Sequence, residues 1–351
     1  ALTSVAAIAT AFAYGIGGHL AIEGGVTVGT LLAITALLAR LYGPLTALSN
    51  VRIDVMTSLV SFERVFEVLD LEPMVKNRDN AVVLKTTEPR IEFKNVNFSY
   101  PRAEEISLAS LESAAKAETV QSGQVLRDLS FVAAPGTMTA LVGPSGAGKT
   151  TISALLPRLY DVTDGSISID GHDIRDLTLE SLRDSIGVVM QDAHLFHETI
   201  AENLRYAKQD ATEEEMMQAC KSAQIWNLIA SLPNGLETMV GERGHRLSGG
   251  EKQRLAIARL LLKSPAVVIL DEATAHLDSE NESAVQDALA VALQGRTSIV
   301  VAHRLSTIRQ ATQILVIDDG RIVQRGTHEE LLAAGGVYSD LYHRQFAEGK
   351  S

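Results

Sequence analysis

The chain has 351 residues, of which 46% are hydrophobic, with 31 Lys or Arg against 43 Asp or Glu and a formal net charge of -12. That much apolar material excludes a disordered chain and allows about two domains. The acidic balance argues against nucleic acid as a partner, because binders of phosphate backbones carry a basic face. One cysteine, Cys220, cannot form an internal disulfide and reads as an inert thiol in a helical stretch.

The chain opens at Ala1 inside an apolar run without a basic leader, unlike a signal peptide, and reads as the carboxy-terminal part of a longer protein. Residues 1–22 contain no Asp, Glu, Lys or Arg, and residues 24–51 contain only Arg40. Each run is long enough to cross a hydrocarbon core of about 30 Å. A buried hairpin of a soluble protein is the alternative, but two such runs in succession favour membrane spans, with Glu23-Gly24-Gly25 as the turn. Val55, Leu59, Phe62, Phe66 and Leu69 then recur at helical spacing among charged residues, which predicts that the second span continues into water as an amphipathic helix. A helix over 27–69 would be about 65 Å long, and Gly43-Pro44 is a place for a kink.

Residues 1–71 are thus expected to be the end of a membrane domain, residues 72–89 a linker, and residues 90–348 a second domain. Within the last, apolar runs at 139–142, 186–189, 267–270, 298–301 and 314–317 read as buried strands with helical patterns between them. The order implies an α/β fold with a parallel-sheet core. Residues 102–124, rich in Ala, Glu and Ser, are compatible with a loop or a short surface helix.

Gly143-Pro144-Ser145-Gly146-Ala147-Gly148-Lys149-Thr150 fits the phosphate-binding loop pattern and lies between an apolar strand and a helical stretch, the context that motif needs. Its glycines let backbone N–H groups turn around phosphate oxygens, Lys149 reaches the terminal phosphates, and the Thr150 hydroxyl suits magnesium. Thr151 follows in the same run. The strand at 267–270 ends in Asp271-Glu272, two carboxylates at a sheet's carboxyl edge, where such folds bind ligands. Asp271 suits the magnesium shell, which leaves Glu272 to polarise an attacking water. Leu247-Ser248-Gly249-Gly250-Glu251 has the spacing of a capping box, yet its two glycines also offer N–H groups to an anion.

With these motifs in hand, the chain resembles the ATP-binding cassette (ABC) transporters with the exporter-type membrane fold. The resemblance covers nearly the whole sequence, and its most specific element is 247–251 with Gln253 following. Thr238 to Gly244 is similar to the exporter segment that contacts the membrane domain, and Val189-Met190-Gln191-Asp192 to the family's glutamine loop. The resemblance implies that Gln191 touches magnesium and the attacking water, and that its flanks receive a coupling helix. It also implies that His303 senses the γ-phosphate, that Tyr100 stacks on adenine, and that Asp278 lies at the dimer seam.

ATP and magnesium are the implied ligands, sandwiched between the phosphate loop of one copy and the signature of another. The partners are then a second half-transporter (a homodimer before a heterodimer), membrane lipid and an unidentified transported substrate, with no nucleic acid. The implied location is the cell membrane, as a multi-pass protein with its nucleotide domain in the cytoplasm. Two features depart from the family: Ala275-His276 stands where Ser-Ala is usual, and residues 102–124 are longer than expected.

The leading reading is an ATP-driven exporter of an amphipathic small molecule, lipid or peptide. The alternatives are an importer with the same membrane fold, for example for an iron carrier, a soluble cassette ATPase, and a nucleotide-binding regulatory module without turnover. The apolar runs before residue 52 argue against the soluble enzyme. Glu272, His303 and the unbroken signature argue against the inert module.

Overall fold

The computed structural model describes residues 2–101, 123–190, 193–241, 244, 246–271, 279–302 and 304–344. Among them two compact units are distinguished, one running to Glu72 and the other beginning at Pro73.

The first unit is a helical hairpin of α1 (Leu2–Ile22) and α2 (Val28–Leu69). Each helix holds a stretch long and apolar enough to cross a membrane, with a mean hydropathy of 1.6. Ile8, Phe12, Leu32 and Leu37 are exposed, as apolar residues facing lipid would be. Two threonine hydroxyls in these stretches turn back onto their own helix: Thr10 donates to the Ala6 carbonyl and Thr35 to that of Leu31. That bonding would satisfy them in a hydrocarbon core. The Thr27 hydroxyl accepts from Thr30 N–H at 3.2 Å and caps α2. The 42 residues of α2 make a rod of about 63 Å, with Pro44 inside it.

The second unit is built on two sheets. In the larger, β3 (Met138–Val142), β6 (Ile186–Val189), β7 (Val267–Asp271), β8 (Thr297–Val301) and β9 (Gln313–Asp318) are parallel, and β10 (Arg321–Gly326) adds an antiparallel edge, in the order β10-β9-β3-β8-β7-β6. Along β7, Val267 and Ile269 enter one apolar core while Val268 and Leu270 enter another, so the strand is covered on both faces. This double burial explains the unbroken apolar runs in the sequence. The smaller sheet is antiparallel, in the order β2-β1-β4-β5, from β1 (Ile91–Ser99), β2 (Gln124–Ala133), β4 (Asp164–Ile169) and β5 (His172–Asp173). Sequence reading supplied only the parallel part.

The Lys149–Leu155 helix shares one core with both sheets through Ile152 and Leu155. The opposite face of the parallel sheet carries the helices Gly249–Lys263, Ser279–Leu293 and Glu213–Ser222. Cys220 lies in that second core, and burial pushes its thiol up to about 12, so it stays protonated and unreactive.

Residues 76–84, in the stretch whose composition reads as a linker, are bonded to this unit. Val82 exchanges backbone hydrogen bonds with Asp176 and Thr178, and Arg78 pairs with Asp176.

Candidate functional site

Four parallel strands end at one edge in matching register. Leu141 of β3 and Asp271 of β7 both align with Val301 of β8, and Leu270 aligns with Val189 of β6. The chain continues from these ends into the phosphate loop, Glu272, His303 and Gln191. Glu272, His303, Gln191 and Asp278 lie outside the described residues.

Residues 143–148 form a tight loop between β3 and the Lys149–Leu155 helix. Gly143 has no room for a side chain, since a Cβ there would sit 2.0 Å from the Ile317 carbonyl oxygen. A Cβ on Gly148, at φ +103°, would meet Leu126 at 2.7 Å. Gly146, at φ +81°, would project a Cβ into open space, so its left-handed backbone rather than crowding is what favours glycine there. Gly143→Ala is therefore expected to destabilise the protein by about 1–3 kcal/mol, the usual cost of forcing atoms into a packed site. A thermal melt checks it, and an unchanged melting temperature would contradict the close approach.

Lys149 is buried, and its Nζ donates to the carbonyls of Gly143 at 2.7 Å and Pro144 at 2.8 Å. Burial lowers the pKa of its ammonium, and the Asp271 charge opposes that shift. The cation is thus held at the loop by its own backbone. Thr150 Oγ1 lies 3.4 Å from Asp271 Oδ2. Ligands at right angles on magnesium stand about 2.9 Å apart, so a shift of a few tenths of an ångström would let both oxygens reach one ion. The hard-oxygen donors fit that metal. Tyr100 places its hydroxyl 3.1 Å from Thr151 Oγ1, and its ring meets Phe98 and Tyr160 edge-on at 4.9 and 5.3 Å. Tyr100 is thereby anchored to the helix that leaves the loop. Tyr160, which buttresses it, was not singled out from the sequence, although an aromatic shortly after that helix was a usable signal.

The segment Leu247-Ser248-Gly249-Gly250-Glu251 opens the Gly249–Lys263 helix with a complete capping box: Ser248 N–H donates to Glu251 Oε2 at 2.7 Å, and Glu251 N–H to Ser248 Oγ at 3.4 Å. Leu247 is buried as an anchor, whereas Ser248 and Gly249 are exposed. Among the described residues no hydrogen bond or ion pair joins 247–251 to 143–151. The loop, Thr150, Asp271 and Tyr100 form one cluster, and the exposed helix start is a separate surface.

Residues 126–275 match the family described as "ABC transporter". The chain is 48% identical over 318 residues to ABC transporter aclQ of Aspergillus oryzae, covering 91% of this chain and 37% of that protein. It is 43% identical over 334 residues to an ATP-dependent lipid A-core flippase of Syntrophus aciditrophicus, covering 95% and 52%. The structure of a bacterial Atm1-family ABC exporter with ATP bound superposes with a TM-score of 0.77 at 38% identity, covering 98% of this chain and 57% of that one. The chain therefore spans between about a third and about half the length of these curated relatives.

Proposed function

Because this chain belongs to the ABC transporter ATPase family, we propose that it is the motor half of an ATP-driven exporter, coupling hydrolysis at the β3 loop to movement of a membrane domain. The observation that carries this reading is the convergence of Lys149, Thr150 and Asp271 at one sheet edge. That edge has the parts of a phosphoryl-transfer site, whose work is positioning and charge stabilisation. The loop N–H groups and Lys149 would hold the phosphates, while Thr150 and Asp271 would hold magnesium, with Gln191 as a further ligand. Glu272 polarises the attacking water and His303 contacts the γ-phosphate. When bound, magnesium would supply positive charge against that developing on the transferred phosphoryl group.

A second copy completes the site. Ser248 and Gly249 are exposed at the start of the Gly249–Lys263 helix, and a partner's nucleotide supplies the anion that such a helix start suits. One chain carries both halves, so a homodimer suffices. Relatives whose names specify lipid A-core flipping and export favour an amphipathic substrate moved outward, and an importer is not favoured. Hydrolysis would close and reopen the dimer and so drive the membrane helices. The two long apolar helices support a membrane location, and the proposed exporter carries its nucleotide unit on the cytoplasmic side.

A cleft of about 350 Å³ carries exposed Met190, Phe196 and Tyr206. An exposed apolar patch on a nucleotide-binding unit marks a docking face, here for membrane-domain helices beyond the two in this chain. The direct test is ATP hydrolysis by the purified full-length protein in lipid. Turnover should require magnesium and stop when it is chelated. Absence of magnesium-dependent hydrolysis would overturn the reading.

A further inference from the structure

The cleft with Met190, Phe196 and Tyr206 has Arg259 of the Gly249–Lys263 helix in its wall. The guanidinium fork of Arg259 reaches the segment after Gln191 at three points: Nε donates to the Asn203 carbonyl at 2.8 Å, Nη1 to the His194 carbonyl at 2.8 Å, and Nη2 to Asn203 Oδ1. Asn203 is fully buried, and its amide gathers the loop before it. Its Oδ1 accepts from Phe196 N–H at 3.0 Å, and its Nδ2 donates to the carbonyls of Phe196 at 3.1 Å and Thr199 at 2.9 Å. A second tie lies on the other flank. Ile200 N–H donates to the Thr238 carbonyl and Val240 N–H to that of Glu198, while the His197 ring approaches the Val240 carbonyl at 3.2 Å. The acceptors that Arg259 uses lie at the two ends of one short stretch: the His194 carbonyl before Phe196, and Asn203 in the Ile200–Arg205 helix after it.

We propose that Arg259 and Asn203 form a clamp that binds the 194–206 segment to the helix opening at Ser248, so that the membrane-facing cleft and the signature move as one body. This rests on the proposed function, which assigns those two surfaces their partners. Their hydrogen-bond partners are one another and residues 194–199, away from the phosphate loop, so both are positioning residues. The planar fork is what permits three acceptors at once, and a lysine ammonium of the same charge cannot span them. Loosening the clamp should leave ATP binding intact and weaken the link between binding and turnover.

The test places spin labels at Glu202→Cys and Lys252→Cys in the full-length protein, both exposed positions, with Cys220→Ser as background. Distances are measured without nucleotide and with ATP and magnesium in a Glu272→Gln background. Intact Arg259 and Asn203 should give one narrow distance that is the same in both states. Arg259→Ala and Asn203→Ala should broaden it, and, with Glu272 restored, leave KM for ATP within about twofold and lower kcat about five- to tenfold, the size of change expected of a residue on a coupling route. Arg259→Lys should behave like Arg259→Ala and serves where the alanine variants do not fold.

A label distance that shifts with nucleotide when the clamp is intact would overturn the proposal, as would a variant with kcat within twofold of wild type. Absence of hydrolysis by the wild type would instead reject the ATPase reading. The distance between the labels without nucleotide would still report on the clamp.

Discussion

Glu272→Gln in the full-length protein is expected to bind ATP as tightly as the wild type and to lose steady-state hydrolysis by about 10²- to 10⁴-fold, the range a positioned general base contributes. The amide keeps the shape of the side chain but cannot accept a proton from water. The motive is position: Glu272 follows Asp271, whose carboxylate stands 3.4 Å from the Thr150 hydroxyl at the mouth of the phosphate loop. Phosphate release and the binding of a fluorescent ATP analogue, measured on the same preparation, separate the two effects. Wild-type turnover would remove Glu272 from the chemistry.

Lys149→Ala should fail at the earlier step. Its ammonium is held at the loop by two carbonyls; in the proposed site it would face phosphate oxygens in the ground state and the transition state alike, so its loss should weaken binding itself. A hydrogen bond to a charged group contributes about 1.5–3 kcal/mol, which corresponds to roughly 10- to 150-fold in affinity for ATP. Equilibrium titration of nucleotide is the measurement, and unchanged affinity would contradict the phosphate-loop assignment. The substitution also leaves the carbonyls of Gly143 and Pro144 without that donor, so a melt of the nucleotide-free variant should accompany it.

These expectations were legible because phosphate chemistry writes itself into contiguous residues. A loop that must turn N–H groups inward needs glycine where a Cβ would strike Ile317 or Leu126, and that need shows in the spacing from 143 to 148. The parallel strands were legible for a related reason, since burial on both faces leaves unbroken apolar runs such as 267–270. The antiparallel sheet was not. In β1, buried Ile91, Phe93, Val96 and Phe98 alternate imperfectly, and the pairing with β2 shifts register between Phe93 and Val96, which blurs the period-two signal.

The Arg259 fork was invisible for a different reason. Two of its three acceptors are backbone carbonyls, which leave no residue signature, and they lie about 60 positions away in the chain. Tyr100 falls between these cases. The resemblance implied that it stacks on adenine, while its hydroxyl contact with Thr151 and the edge-on support from Tyr160 depend on packing.

The central claim is that two copies share each working site, the phosphate loop of one facing the exposed Ser248 helix start of the other. It is tested most directly by hydrolysis in reconstituted full-length protein as wild-type subunits are replaced by Ser248→Arg subunits that still fold. With coupled sites in a homodimer, activity should fall faster than the wild-type fraction, to about one quarter at an equal mixture, because random pairing leaves that share of dimers free of the mutant. Activity that persists in the pure Ser248→Arg protein would contradict the shared site, whereas a fall in simple proportion to the wild-type fraction would contradict the coupling of the two sites.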